Sequence, residues 1–89
     1  MGLQIMTRYF FHLITANFIV PDHTDGRVLK DDSAAHDCAL AAIEAIMEGK
    51  PWRGLDPMTS AVEVTDERGK PFLNVPFQEV LHPAARARP

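Results

Sequence analysis

The chain has little of what usually reveals a function. Its 89 residues include one cysteine, one tryptophan and one tyrosine. A single thiol, Cys38, cannot close an internal disulfide, so the fold must stand on its core alone, which suits a reducing cytoplasm. Basic residues are outnumbered, nine Lys and Arg against twelve Asp and Glu, and the formal charge is −3. That balance withholds the basic field that generic nucleic-acid binding needs. No apolar run approaches the roughly 20 residues of a membrane-spanning helix. Residues 1–6 lack the charged start, apolar stretch and cleavage site of a signal peptide, and Met6 stands where a myristoylation signal carries Ser or Thr. There is no glycine-rich phosphate loop. His12, His23, His36 and His82 show no H-x-x-x-H spacing, so the pattern predicts neither a metal nor a cofactor.

What is present is an ordered set of structural patterns. Thr7–Ile14 reads as a strand rich in aromatic and β-branched residues. Alternation places Tyr9, Phe11 and Leu13 on one face and Arg8, Phe10, His12 and Ile14 on the other. Both faces carry large apolar groups, which predicts a central strand. Asn17 to Val20 could continue the sheet. Pro21 to Gly26 is turn chemistry, and Arg27 to Lys30 then reads as a short strand antiparallel to the first.

Asp31-Asp32-Ser33 is a helix start, with Asp32 or Ser33 able to accept the first free amides. The helix over 33–48 carries Ala35, Cys38, Ala39, Ala42 and Ile46 at the spacing of a core face. Leu40, Ile43 and Met47 form a second apolar stripe beside it, with His36 on the same side. Gly49 ends the helix and Pro51 prevents its continuation. Trp52, in a Pro- and Gly-containing loop, is expected to plug the core's edge.

Ala61–Thr65 and 70–77 form a hairpin closed by Asp66-Glu67-Arg68-Gly69. A four-residue loop predicts Val62 opposite Leu73 and Val64 opposite Pro71, with Val62, Val64, Leu73 and Val75 on one face and Phe72 and Asn74 on the other. Pro71 and Pro76 cannot donate to a ladder, which places this strand at an edge. Residues 77–81 can form one last helical turn. The pattern is α+β: an antiparallel sheet of three to four strands, in ββαββ order, packed on one helix as two layers. A single domain over 6–81 is expected, with 1–5 an N-terminal extension and 82–89 a disordered tail.

The opening Thr7-Arg8-Tyr9-Phe10-Phe11-His12 and the closing Val64-Thr65-Asp66-Glu67-Arg68-Gly69-Lys70-Pro71-Phe72-Leu73-Asn74-Val75-Pro76-Phe77 resemble the two motifs of a family of small bacterial domains of unknown function. Its members open with a Met-Pro-Arg-Tyr-Phe-Phe strand and close with a Val-Thr-Asp-Glu-x-Gly hairpin ending in Val-Pro-Phe. An Ala-rich helix lies between. Thr7 stands where the family has Pro, and Asn17 to Asp22 departs from the family's short acidic loop. The resemblance implies a fold. It carries over no catalytic residue, because none is established for the family.

The chemistry-bearing side chains have structural explanations. His23 with Asp22 and Asp25 sits in a turn, where such residues cap amides. His36 and Cys38 are two apart on a helix and point about 200° away from each other, so they cannot pair as base and nucleophile. Asp31, Asp32, Asp66 and Glu67 start a helix or make a turn. The sequence therefore reads as a non-enzymatic interaction or regulatory domain. One helix covers one sheet face, which leaves Phe10, His12, Ile14, Phe72 and Asn74, among others, on the second face. Leu40, Ile43 and Met47 offer another candidate surface. The expected partner is a protein or a second copy of the chain, as a homodimer. The alternatives are an antitoxin-like protein masking a small basic toxin, by loose analogy with antitoxins of the HicB type, and a small-ligand binder using His12 on the open face. RNA binding through sheet aromatics ranks last, because little positive charge surrounds Phe10 and Phe72.

Overall fold

The computed structural model describes residues 6–49 and 55–81. The expectations for residues 1–5, for Trp52 and for 82–89 lie outside them. The element order is β1 (Thr7–Ile14), β2 (Ile19–Val20), β3 (Arg27–Leu29), α1 (Asp32–Glu48), β4 (Ala61–Thr65), β5 (Pro71–Pro76) and α2 (Gln78–Leu81). All pairings are antiparallel, in the order β2-β1-β4-β5, with β3 also paired to β1. The fold is the α+β arrangement that the pattern predicts, with β1 central and β5 at an edge, but the sheet has five strands and not three to four, because two short strands, β2 and β3, precede the helix where one was expected.

β2 and β3 divide one side of β1 between them. Ile19 and Val20 pair with Ile14 and Leu13, whereas Arg27, Val28 and Leu29 pair with Tyr9, Arg8 and Thr7. Between the two, Pro21 to Gly26 leave the ladder and then rejoin it. The backbone of Phe11 faces this gap, and its N–H donates to Asp22 Oδ2 at 2.9 Å. A carboxylate thus stands where a strand carbonyl would be. Gly26 closes the excursion at φ +74°, and a Cβ there would lie 2.7 Å from the Tyr9 carbonyl oxygen. Only glycine fits both the conformation and the approach. At the opposite end, Thr15 organises the β1–β2 turn: its Oγ1 accepts from the amides of Asn17 and Phe18.

α1 is capped by Asp31, one residue earlier than the sequence suggests, whose Oδ1 accepts from the Ala34 amide at 2.9 Å. Its buried residues are Ala35, Ala39, Leu40 and Ile43. The helix is therefore rolled toward what the sequence offers as a second stripe. Cys38, Ala42 and Ile46 are only half-buried. The cause is α2. Val80 of α2 and Leu55 pack against the core cluster, and Glu79 of α2 bridges to His36 Nε2 at 2.8 Å. Leu40 and Ile43 are 8% and 0% exposed, and Met47 is packed against the core cluster, so this stripe faces the core and not solvent.

The rest of the core comes from Tyr9, Val62, Val64, Val75 and Phe77. Tyr9 donates its hydroxyl to Asp32 Oδ1 at 2.9 Å, tying β1 to the first turn of α1. Burial, and then this bond to a carboxylate, push the phenol's pKa up.

The hairpin register also differs from expectation. Val62 faces Val75 and Val64 faces Leu73, and an irregularity follows before Thr65 meets Pro71. The connection is longer than the tight loop predicted. The Asp66 N–H donates to the Lys70 carbonyl, while Asp66 Oδ1 accepts from the amides of Arg68 and Lys70. Phe72 is the extra residue of the resulting bulge. The four valines and leucines still share the helix side, but Phe72 is turned with them: its ring meets Tyr9 edge-on, centroids 5.3 Å apart. It does not stand beside Phe10 and His12. β5 ends in Pro at both sides, Pro71 and Pro76, on the sheet's outer edge.

Candidate functional site

Directly paired residues share a face, so the register maps the side of the sheet that α1 leaves uncovered. One row crosses four of the five strands: Ile19 opposite Ile14, Ile14 opposite Ala61, Ala61 opposite Pro76. Every member is apolar, and Ile19 is 63% exposed. The next row is polar, with His12 opposite Glu63 and Glu63 opposite Asn74. A third row pairs Phe10 with Thr65, and Arg8 with Val28 lies beyond it. The face is therefore graded, from an apolar end at the β1–β2 turn to a polar end at the hairpin loop.

At the polar end the side chains are joined. The Asp22 amide donates to His12 Nδ1 at 2.9 Å. A backbone N–H can only donate, so Nδ1 holds a lone pair and the neutral ring carries its proton on Nε2. Nε2 lies 2.9 Å from Thr65 Oγ1 and donates to it. The Thr65 hydroxyl in turn donates a hydrogen bond to the Asp66 carbonyl at 3.1 Å. The order of donors runs away from the ring, so His12 in this state cannot take a proton from Thr65, and the pair is not a nucleophile with its base.

Asp22 completes the arrangement. Its Oδ1 accepts from the Thr24 amide and hydroxyl, and Thr24 Oγ1 accepts from the Gly26 amide. Burial works against the charge on Asp22. The Thr24 hydroxyl and the Phe11 and Thr24 amides, with the charge His12 carries when protonated, outweigh it, and the pKa falls below the usual carboxylate value. Phe10, His12, Asp22, Thr65, Asp66, Glu67 and Gly69 surround a shallow, open depression, and Arg8, Thr24 and Asp25 extend it. Arg8 donates to the Asp25 carbonyl at 2.6 Å.

Of the residues singled out from sequence, Phe10, His12, Ile14 and Asn74 do share this face. Phe72 leans on Tyr9, and Leu40, Ile43 and Met47 lie in or against the core. Sequence reasoning missed Ile19, Ala61 and Pro76 as one row, and missed Asp22 and Thr65 as partners of His12. The apolar run Phe18-Ile19-Val20, too short for a buried strand, was the available signal for the first. Among the described residues, no three His, Cys, Asp or Glu side chains converge as metal ligands. Cys38 is half-buried. No described helix is long and apolar enough to cross a membrane.

Fold and site together define a small two-layer α+β domain with one covered sheet face and one graded, uncovered one. The chain belongs to the DUF6894 family, a domain of unknown function, whose model matches residues 8–78. No curated protein and no solved structure matches it.

Proposed function

We propose that this domain is a non-enzymatic, cytoplasmic binding module that works by protein contact through its uncovered sheet face, with a second copy of the chain as its first partner. The observation that carries the reading is the apolar row Ile19–Ile14–Ala61–Pro76, in register across four strands on the side away from the helix among the described residues. Water against such a row is unfavourable, and face-to-face packing of two sheets removes it. A two-fold axis over the row lays each copy's apolar end on the other's.

Sedimentation equilibrium over a wide concentration range tests the proposal. The expected result is a rise from the 9.9 kDa monomer toward twice that mass. Ile14→Asp and Ile19→Asp should each return the protein to a monomer with its circular dichroism unchanged. A strict monomer at the highest concentration removes the self-association.

The polar end supports a second reading. Asp22, Asp25, Asp66 and Glu67 flank the depression, and this acidic rim suits a basic protein partner of the kind an antitoxin masks. The same charge opposes phosphate backbones. Co-purification of a small basic protein at stoichiometric yield, lost at high salt, would favour this reading over the homodimer.

A further inference from the structure

The Pro21 to Gly26 excursion is held to the sheet by few bonds, and one of them depends on a titratable ring. The Asp22 amide ends on His12 Nδ1, and the Asp22 carboxylate supplies the acceptor for the Phe11 amide. An amide donor and a protonated Nδ1 cannot face each other at 2.9 Å, since both would present hydrogen. We propose that His12 is a protonation-sensitive latch: its neutral ring fastens the Asp22 segment to the open face, and its imidazolium releases that segment.

The surroundings give the imidazolium somewhere to go. Glu63 lies directly opposite on β4, and Asp66 and Glu67 line the same depression from the hairpin loop, so carboxylates outside the excursion are within the ring's surroundings; the Asp22 carboxylate also faces it, already accepting from Phe11 and Thr24. The cation on this face, Arg8, lies four residues back along β1 with its guanidinium on the Asp25 carbonyl. A ring bearing two N–H groups trades one amide for a carboxylate acceptor. The Asp22 backbone then loses its anchor, and the Phe11 amide loses a carboxylate held in place by that backbone. Release moves one wall of the depression away from Phe10 and Thr65, so acidification reshapes the polar end while the apolar row is untouched. The latch does not depend on what the face binds.

The separation of the other groups makes it testable. The Asp22 carboxyl titrates below its ordinary value of 3.8, so it stays ionised across the range in which histidine side chains change charge. The experiment is nuclear magnetic resonance on the full chain: ring nitrogen shifts of His12 at pH 8, and amide-exchange protection across pH 5–8, corrected for intrinsic rates. The expected result is an Nε2–H tautomer at pH 8. Protection of the Asp22 and Phe11 amides then falls about tenfold or more as the ring protonates, since a lost hydrogen bond to a charged or buried group is worth at least that factor. The Phe77 amide, held by the Ser60 carbonyl away from this depression, stays constant and reports any general loosening. In His12→Asn the side-chain oxygen stands near the Nδ1 position without a titratable proton, and protection becomes independent of pH. An Nδ1–H tautomer at pH 8, unchanged protection on ring protonation, or the same fall in His12→Asn would each overturn the latch. The wild-type measurements decide the matter even if that variant does not fold.

Discussion

Two loops in this domain share a local grammar and differ in what they hold. Each begins with an aspartate whose carboxylate takes the amide two residues on, Thr24 for Asp22 and Arg68 for Asp66. Each ends on a glycine with positive φ, Gly26 at 74° and Gly69 at 85°. The Asp66 loop is self-contained: its carboxylate and amide bind Arg68 and Lys70, and nothing lies within 4 Å of a Cβ added at Gly69. The Asp22 loop is part of the sheet. Its carboxylate serves Phe11, its amide serves His12, and its glycine presses on Tyr9. An aspartate start and a left-handed glycine end, four residues apart in one loop and three in the other, thus make a free-standing turn in one place and a substitute for a strand in the other.

Substitutions in the two loops measure that difference. Gly26→Ala forces a left-handed alanine against the backbone of β1 and is expected to destabilise by about 2–4 kcal/mol, read from the urea midpoint. Asp22→Ala strands the Phe11 amide beside half-buried surface and should lose about 1–3 kcal/mol. Gly69→Ala meets no neighbour and should lose about 1 kcal/mol from conformation alone. Asp66→Ala should fall below Asp22→Ala, because its amide partners belong to the exposed residues Arg68 and Lys70, where water can replace the carboxylate. Equal effects at the two glycines would abolish the distinction between the loops.

The smallest effect is in acid. Both carboxyls titrate below their ordinary value, Asp22 against the pull of burial and Asp66 chiefly through the Lys70 amide. The unfolded chain takes up the proton first, so their contribution is intact above about pH 4 and is lost as pH falls through the folded values. Stability measured from pH 6 to 2 should decline less steeply in Asp22→Ala than in the parent, and Asp66→Ala should flatten it less.

The loops also show what a sequence can and cannot disclose. Asp66-Glu67-Arg68-Gly69 is legible because every bond it makes is local. So are the strand Thr7–Ile14, the helix and the final turn, whose patterns repeat within a few residues. The Asp22 loop is legible as a turn but not as part of a site, since its partners lie elsewhere: His12 is 10 residues from Asp22 and 53 from Thr65. The hairpin register failed for a related reason. Valine alternation fixes which face a residue takes but not how many residues the connection holds, and Phe72 is drawn to Tyr9, which no local pattern records. The roll of α1 toward Leu40 and Ile43 was hidden likewise, because it depends on α2, a single turn thirty residues downstream.

The prolines that bound β5 matter to any crowd of these molecules. An open-ended stack of sheets needs two adhesive borders on every member, one to receive and one to offer. Pro71 and Pro76 deprive one border of amide hydrogens at both its extremities. Copies that meet along their strands can couple, but each union uses up the receptive side and gives a filament nothing to grow from.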